Sequence, residues 1–187
     1  MMHTLTDQDH RLLGPLTRFY VEADRTLPVI ERVTEQEIPQ PQCGLLSQTG
    51  DMTPALEHFY NGQLQLQLLG QHLGEALYSR QVALSIIGKD APVGFGAIDI
   101  DLAVLGPPVR DKILEASRPL GGILLAEGVE HRSQPQCFFR VCSDAMMIQT
   151  FRLADSRLLY GRCNRLVDAR QRTIADVVEI LCPDKRR

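Results

Sequence analysis

Two charged residues in this sequence occupy positions where an unpaired charge is costly. Between Glu75 and Lys89 the run E-A-L-Y-S-R-Q-V-A-L-S-I-I-G-K alternates, with Tyr78, Val82, Leu84 and Ile86 in one phase and Ser79, Gln81, Ala83 and Ser85 in the other. A period of two is the mark of a half-buried strand, and it places Arg80 on the apolar face. A guanidinium withdrawn from water needs a partner, so Arg80 is either paired with a protein carboxylate or held for an anionic ligand. Near the C-terminus Ile174, Asp176, Val178 and Ile180 alternate with Ala175, Val177, Glu179 and Leu181, which sets Glu179 among aliphatic neighbours. Either the two opposite charges pair with each other, or they sit at opposite ends of one polar ligand.

Backbone donors are the second source of chemistry. In G-D-M-T-P, from Gly50 to Pro54, Thr53 reads as an N-cap with Pro54 at the first helical position. A helix start leaves amides without intrahelical acceptors, and these can bind an anion or simply be capped. Pro119-Leu120-Gly121-Gly122 is a second proline-led start, whose glycines permit close backbone approach or a plain tight connection.

Other chemistries lack local support. The five cysteines, Cys43, Cys137, Cys142, Cys163 and Cys182, form no C-x-x-C pair, and four of them lie in strand-like sequence where a thiol packs as a small apolar group. The histidines His3, His10, His58, His72 and His131 have no metal-ligand spacing, so no metal and no cofactor is expected. Glycine-rich phosphate loops and a G-x-S-x-G elbow are also missing. A formal net charge of −3 argues against a nucleic-acid footprint. No apolar run reaches the ~18 residues of a membrane span, and the first ten residues do not resemble a signal peptide, so a cytoplasmic protein is expected. It should be a monomer or a weak homo-oligomer.

The elements that must position Arg80 and Glu179 follow from the rest of the chain. With 187 residues and ordinary hydrophobic content, one domain over 1–187 is expected. An N-terminal helical segment at about 5–24, capped by Thr6 or Asp7, is interrupted at Gly14-Pro15 and carries Leu16, Phe19 and Tyr20. Pro28 to Glu37 reads as an extended edge strand and Ile38 to Gln48 as a loop. Gln63 to Leu73 is a strand turning near Gly74 into the Arg80 strand, and Gly88 to Asp90 is a hairpin connection to a third strand from Ala91. There the apolar phase changes from Val93, Phe95 and Ala97 to Ile98, Ile100 and Leu102, which suggests a bulge near Gly96. A short helix follows Pro107-Pro108. Strands are then expected at Gln136 to Val141, Met146 to Leu153, Leu158 to Val167 and Thr173 to Leu181. The result is an α+β fold with a largely antiparallel sheet flanked by helices.

Five blocks, G-D-M-T-P-A-L-E, Y-S-R-Q-V-A-L, P-L-G-G-I-L, L-Y-G-R-C-N-R-L and V-V-E-I-L-C-P, stand in this order between Thr49 and Pro183. Together they resemble the chorismate pyruvate-lyase (4-hydroxybenzoate synthase) family, in its divergent cyanobacterial and mycobacterial branch. The resemblance implies an antiparallel sheet enclosing a buried site under flaps. It also implies a carbon–oxygen lyase that eliminates pyruvate from chorismate to give 4-hydroxybenzoate, driven by aromatisation and without a cofactor. The family's carboxylate-binding arginine falls on Arg80, its two backbone donors on Met52 and Leu120, and the acid meeting the ring hydroxyl on Glu179. Arg80 and Glu179 would be the catalytic pair.

One departure is visible. A second active-site arginine of the better-studied branch falls on Ala97, and Arg162, Arg165 and Arg132 are candidates to replace it, or are solvated strand charges. Arg162 is carried as a substrate-binding candidate. The competing reading is a small-molecule (aromatic carboxylate) binding domain without chemistry, related to the effector-binding domains of transcription regulators that share this general fold. No helix-turn-helix pattern precedes the blocks, and the charged pair matches the lyase pattern, so the lyase is the expectation.

Overall fold

Periodicity and capping residues set most of the elements. The structure, a computed structural model, describes residues 6–89 and 91–182. Leu5, Asp90 and Pro183, the ends of three expected segments, lie outside the described residues. Thr6 and Asp9 form a capping box that opens α1 (Asp7–Leu12), and Pro15 sits in the first turn of α2 (Gly14–Glu22). Then come β1 (Ile30–Val33), α3 (Gln42–Leu46), α4 (Met52–Tyr60), β2 (Leu64–Leu73), β3 (Leu77–Ile86) and β4 (Gly94–Asp101). The chain continues through α5 (Pro107–Leu114), α6 (Leu120–Ala126), β5 (His131–Cys142), α7 (Ala145–Phe151), β6 (Leu158–Asp168) and β7 (Thr173–Leu181).

All strands pair antiparallel in one seven-stranded sheet of order β1-β5-β6-β7-β4-β3-β2. The α+β fold expected from the sequence is present. Helices cover both faces. On one face Leu13, Leu16, Phe19 and Tyr20 of the N-terminal helices, with Met147 and Phe151 of α7, pack on Phe95, Ala97, Phe139, Cys163 and Val178. The other face carries two clusters. Ile113, Leu120, Ile123 and Leu124 of α5 and α6 cover Tyr78, Ile98 and Ile100, while Leu45, Leu46, Met52 and Leu56 of α3 and α4 cover Ile86 and Leu181.

Three expectations change. Met146 to Leu153 is not a strand. Asp144 accepts a hydrogen bond from the Met147 amide and caps α7, and the buried Met147 and Phe151 stand four residues apart, a helical spacing. Within the segment read as a loop, Gln42 to Leu46 form α3, buried through Leu45 and Leu46. No bulge occurs at Gly96, because β4 pairs in unbroken register with β3 and β7 from Gly94 to Ile100. As a central strand with both faces covered, it carries two apolar phases without a kink. Register shifts occur instead between Leu68 and Gly70 in β2 and between Pro135 and Cys137 in β5.

Candidate ligand-binding site

The site lies where the two clusters on the second face part. Its floor is built from cross-strand rows. Arg80 of β3 stands opposite Ile98 of β4, Ile98 opposite Val177 of β7, and Val177 opposite Asn164 of β6. The neighbouring row runs Val82, Gly96, Glu179, Arg162. Residues at an interval of two share a face, so both rows point the same way. The roof is made by two helix starts, with Asp51, Met52, Thr53 and Leu56 at α4 and Pro119, Leu120 and Gly121 at α6, and Leu66 of β2 closes one side. They enclose a cavity of about 90 Å³.

Arg80 is 2% exposed. Its Nη2 donates to the Arg118 carbonyl at 3.1 Å, while Nε and Nη1 are buried with no hydrogen-bond partner. Burial pulls its pKa below the ordinary arginine value. A buried cation bordering a cavity with two nitrogens unmet is costly to the folded state.

Glu179 does not pair with Arg80. Its Oε2 accepts from Arg162 Nε at 2.5 Å across β6 and β7. Arg162 is fully buried rather than a solvated strand charge. Its Nη1 donates to the carbonyls of Leu46 at 3.0 Å and Gln48 at 2.8 Å, and its Nη2 to that of Gly50 at 3.4 Å. The structure thus commits its donors to protein acceptors, and Arg162 fastens the α3–α4 connection, with the roof residues behind it, to the floor. Glu179 itself borders the cavity beside Gly96 and Val177.

Met52 and Leu120 are the first residues of α4 and α6, and both line the cavity with Arg80. Neither start has a side-chain cap. The N-cap of α4 is Asp51 rather than Thr53, and Pro54 is its third residue. Instead of capping its helix, Asp51 Oδ2 receives His131 Nε2 at 2.8 Å, and the other ring nitrogen, Nδ1, faces the Val129 carbonyl at 3.0 Å. The hydrogen bond to Asp51 raises the His131 pKa, helped by the Val129 carbonyl and by the Asp51 charge, against desolvation. With an acceptor at each nitrogen, the imidazolium is the form that satisfies both.

The remaining candidates supply no second cation to the cavity. Ala97 borders it but packs in the cluster on the opposite face, and Ile98 takes the position across from Arg80. Arg165 pairs with Asp176 at 2.7 Å, and Arg132 is exposed. Cys137, Cys163 and Cys182 are buried as expected of apolar thiols, but Cys142 is exposed. Two polar lining residues were not singled out from the sequence, Asp51 and Asn164. Counting by twos from Arg162 puts Asn164 on its face, so that signal was available. The Asp51–His131 contact joins residues 80 apart and has no local signature.

No family model and no curated protein matches the sequence. Solved structures do match. A structure of PhnF from Mycobacterium smegmatis aligns with TM-score 0.58 at 14% identity, over 75% of this chain and 67% of that one. The effector domain of the same protein aligns with TM-score 0.55 at 14% identity, over 73% and 90%. The ligand-binding domain of a protein assigned to the GntR family of transcriptional regulators, from Bordetella bronchiseptica, aligns with TM-score 0.52 at 13% identity, over 65% and 86%. At such identities the likeness is one of fold. The expectation of a carbon–oxygen lyase is corrected on this finding, since the matches include one structure described as an effector domain and one described as the ligand-binding domain of a transcriptional regulator. Among the described residues, no helix is long and apolar enough to cross a membrane.

Proposed function

We propose that this chain is a ligand-binding domain of the effector-binding kind, which takes a small organic anion at Arg80 without transforming it. The observation that carries the reading is Arg80 itself, 2% exposed beside a cavity with Nε and Nη1 unpartnered. Such a cation is costly to the folded state, and a bound carboxylate supplies the two missing acceptors in the planar geometry that guanidinium favours. The free first-turn amides of Met52 and Leu120 add donors from the roof. Apolar lining from Leu56, Val82, Ile98, Leu120 and Val177 suits a hydrocarbon body, and a cavity of about 90 Å³ limits that body to a small one. Glu179, tied to Arg162, serves to anchor the floor to the roof connection.

Isothermal calorimetry with a panel of small carboxylates, benzoate and 4-hydroxybenzoate among them, tests the reading. The parent protein should bind at least one, and Arg80→Met should weaken it by about 2 to 4 kcal/mol, the scale for removing a desolvated charge-assisted pair. Incubation with chorismate should release no pyruvate. Equal binding by parent and a folded Arg80→Met protein would refute the anion site.

A further inference from the structure

We propose that Asn164 is the second polar contact of the cavity, selecting ligands that carry a hydrogen-bond donor at the end remote from their anionic group. The inference rests on the reading of Arg80 as the partner of the anion. Asn164 is 4% exposed and lines the cavity. It ends the row that Arg80 begins, with Ile98 and Val177 between them. Three strand spacings separate the two backbones, roughly 14 Å, and both side chains rise from the same face.

The amide of Asn164 is held at one end and unmet at the other. Its Nδ2 donates to Ser133 Oγ at 2.8 Å, which fixes the plane of the group, while Oδ1 is buried with no hydrogen-bond partner. A buried acceptor left unpaired is costly, and it is the counterpart of the unmet donors on Arg80. The floor residues beside it do not supply a donor. Val177 and Leu166 are apolar, and the Glu179 carboxylate is turned to Arg162. Donor deficit at one pole and acceptor deficit at the other, with aliphatic side chains between, describe a bipolar molecule. The matching class is a short-chain or single-ring carboxylate bearing a hydroxyl or amino group opposite the carboxylate. A site that must satisfy a buried acceptor discriminates against the analogue lacking the donor, because binding that analogue leaves the acceptor unpaired.

The test uses matched probes on the full chain: hexanoate with 6-hydroxyhexanoate, and benzoate with 4-hydroxybenzoate, 4-aminobenzoate and the acceptor-only 4-formylbenzoate. Dissociation constants are measured for the parent, Asn164→Leu, Asn164→Ala and Arg80→Met. In the parent the donor-bearing member of a pair should bind about 5- to 10-fold tighter than its unsubstituted acid, the range of one net hydrogen bond. Asn164→Leu should bring that ratio to about one, chiefly by weakening the donor-bearing member. Because the ratio is read within one protein, a general loss of stability does not imitate the effect, and Asn164→Ala serves if the leucine variant does not fold. Arg80→Met should lose both members of each pair alike. A parent ratio near one, an unchanged ratio in a folded Asn164 variant, or preference for 4-formylbenzoate would overturn the role of Asn164 and leave the anion site standing. Failure of the parent to bind any of these acids, or indifference to Arg80→Met, would remove the anion site and this proposal with it.

Discussion

Arg162 and Glu179 face each other across β6 and β7 with Nε and Oε2 2.5 Å apart, and the same guanidinium reaches the carbonyls of Leu46, Gln48 and Gly50. One buried cation therefore joins the cavity floor to the chain segment that carries Asp51 and Met52. Cavity geometry and fold stability meet in this pair.

Removing the carboxylate alone should be expensive. Glu179→Ala leaves the fully buried Arg162 charge uncompensated, and the expected loss is about 3 to 5 kcal/mol of unfolding free energy. Adding Arg162→Met to Glu179→Ala should recover a large part of that loss, since an apolar replacement of both partners is tolerated better than a lone charge. Urea titrations of the parent, both single variants and the double variant measure the coupling. Strict additivity would show that the pair is not the unit described.

Arg80 should behave in the opposite way. Its Nε and Nη1 are unmet in the fold, so Arg80→Met should raise the unfolding free energy by about 1 to 3 kcal/mol while weakening anion binding by about 2 to 4 kcal/mol. Arg80→Lys should bind poorly as well, because a point charge does not reproduce the planar fork. A large destabilisation in Arg80→Met would mean that the guanidinium is structural.

How much of this was legible beforehand depends on the range of each interaction. The registers of Arg80 and Glu179 could be read because strand side chains alternate with period two, and both residues border the cavity. The pairing of Glu179 could not be read. Its partner is fixed by the order of strands in the sheet, which sets β7 between β4 and β6. For α7 the misleading feature was a mixed stretch, Met146 to Leu153, whose capping residue Asp144 lies just outside it. The lyase expectation failed for a different reason. Five short blocks match no family model, and likeness of fold does not by itself fix the chemistry of a site.

Raising the pH should loosen the roof through His131. Its pKa is raised in the folded state, chiefly by the hydrogen bond to Asp51, so the protonated ring stabilises the fold. That contribution is fully present below the unfolded value of about 6.5 and is lost as pH rises through the higher folded value. The difference in urea midpoint between the parent and His131→Gln should thus be largest near pH 6 and should shrink as the pH is raised. A difference that stays constant over this range would show that the charge of His131 does not contribute.

The last prediction concerns the seam between the two helix starts. At Gly121 a Cβ would fall 2.6 Å from Asp51 Oδ2 and 2.9 Å from its Cγ, so the glycine is required by the close approach of α6 to that carboxylate. Asp51 cannot swing aside freely, because His131 holds the same oxygen at 2.8 Å. Gly121→Ala should therefore push Asp51 from His131, costing about 1 to 3 kcal/mol, the usual scale for overpacking a filled site. The pH dependence of stability attributed to His131 should fall in the same variant, since the contact that raises its pKa is the one displaced. Gly122→Ala is the control, as a Cβ there meets nothing within 4 Å. Stability curves of the two alanine variants against pH separate the cases. If Gly121→Ala keeps the parent's pH dependence, Asp51 and His131 remain in contact and the seam is looser than the 2.6 Å approach requires.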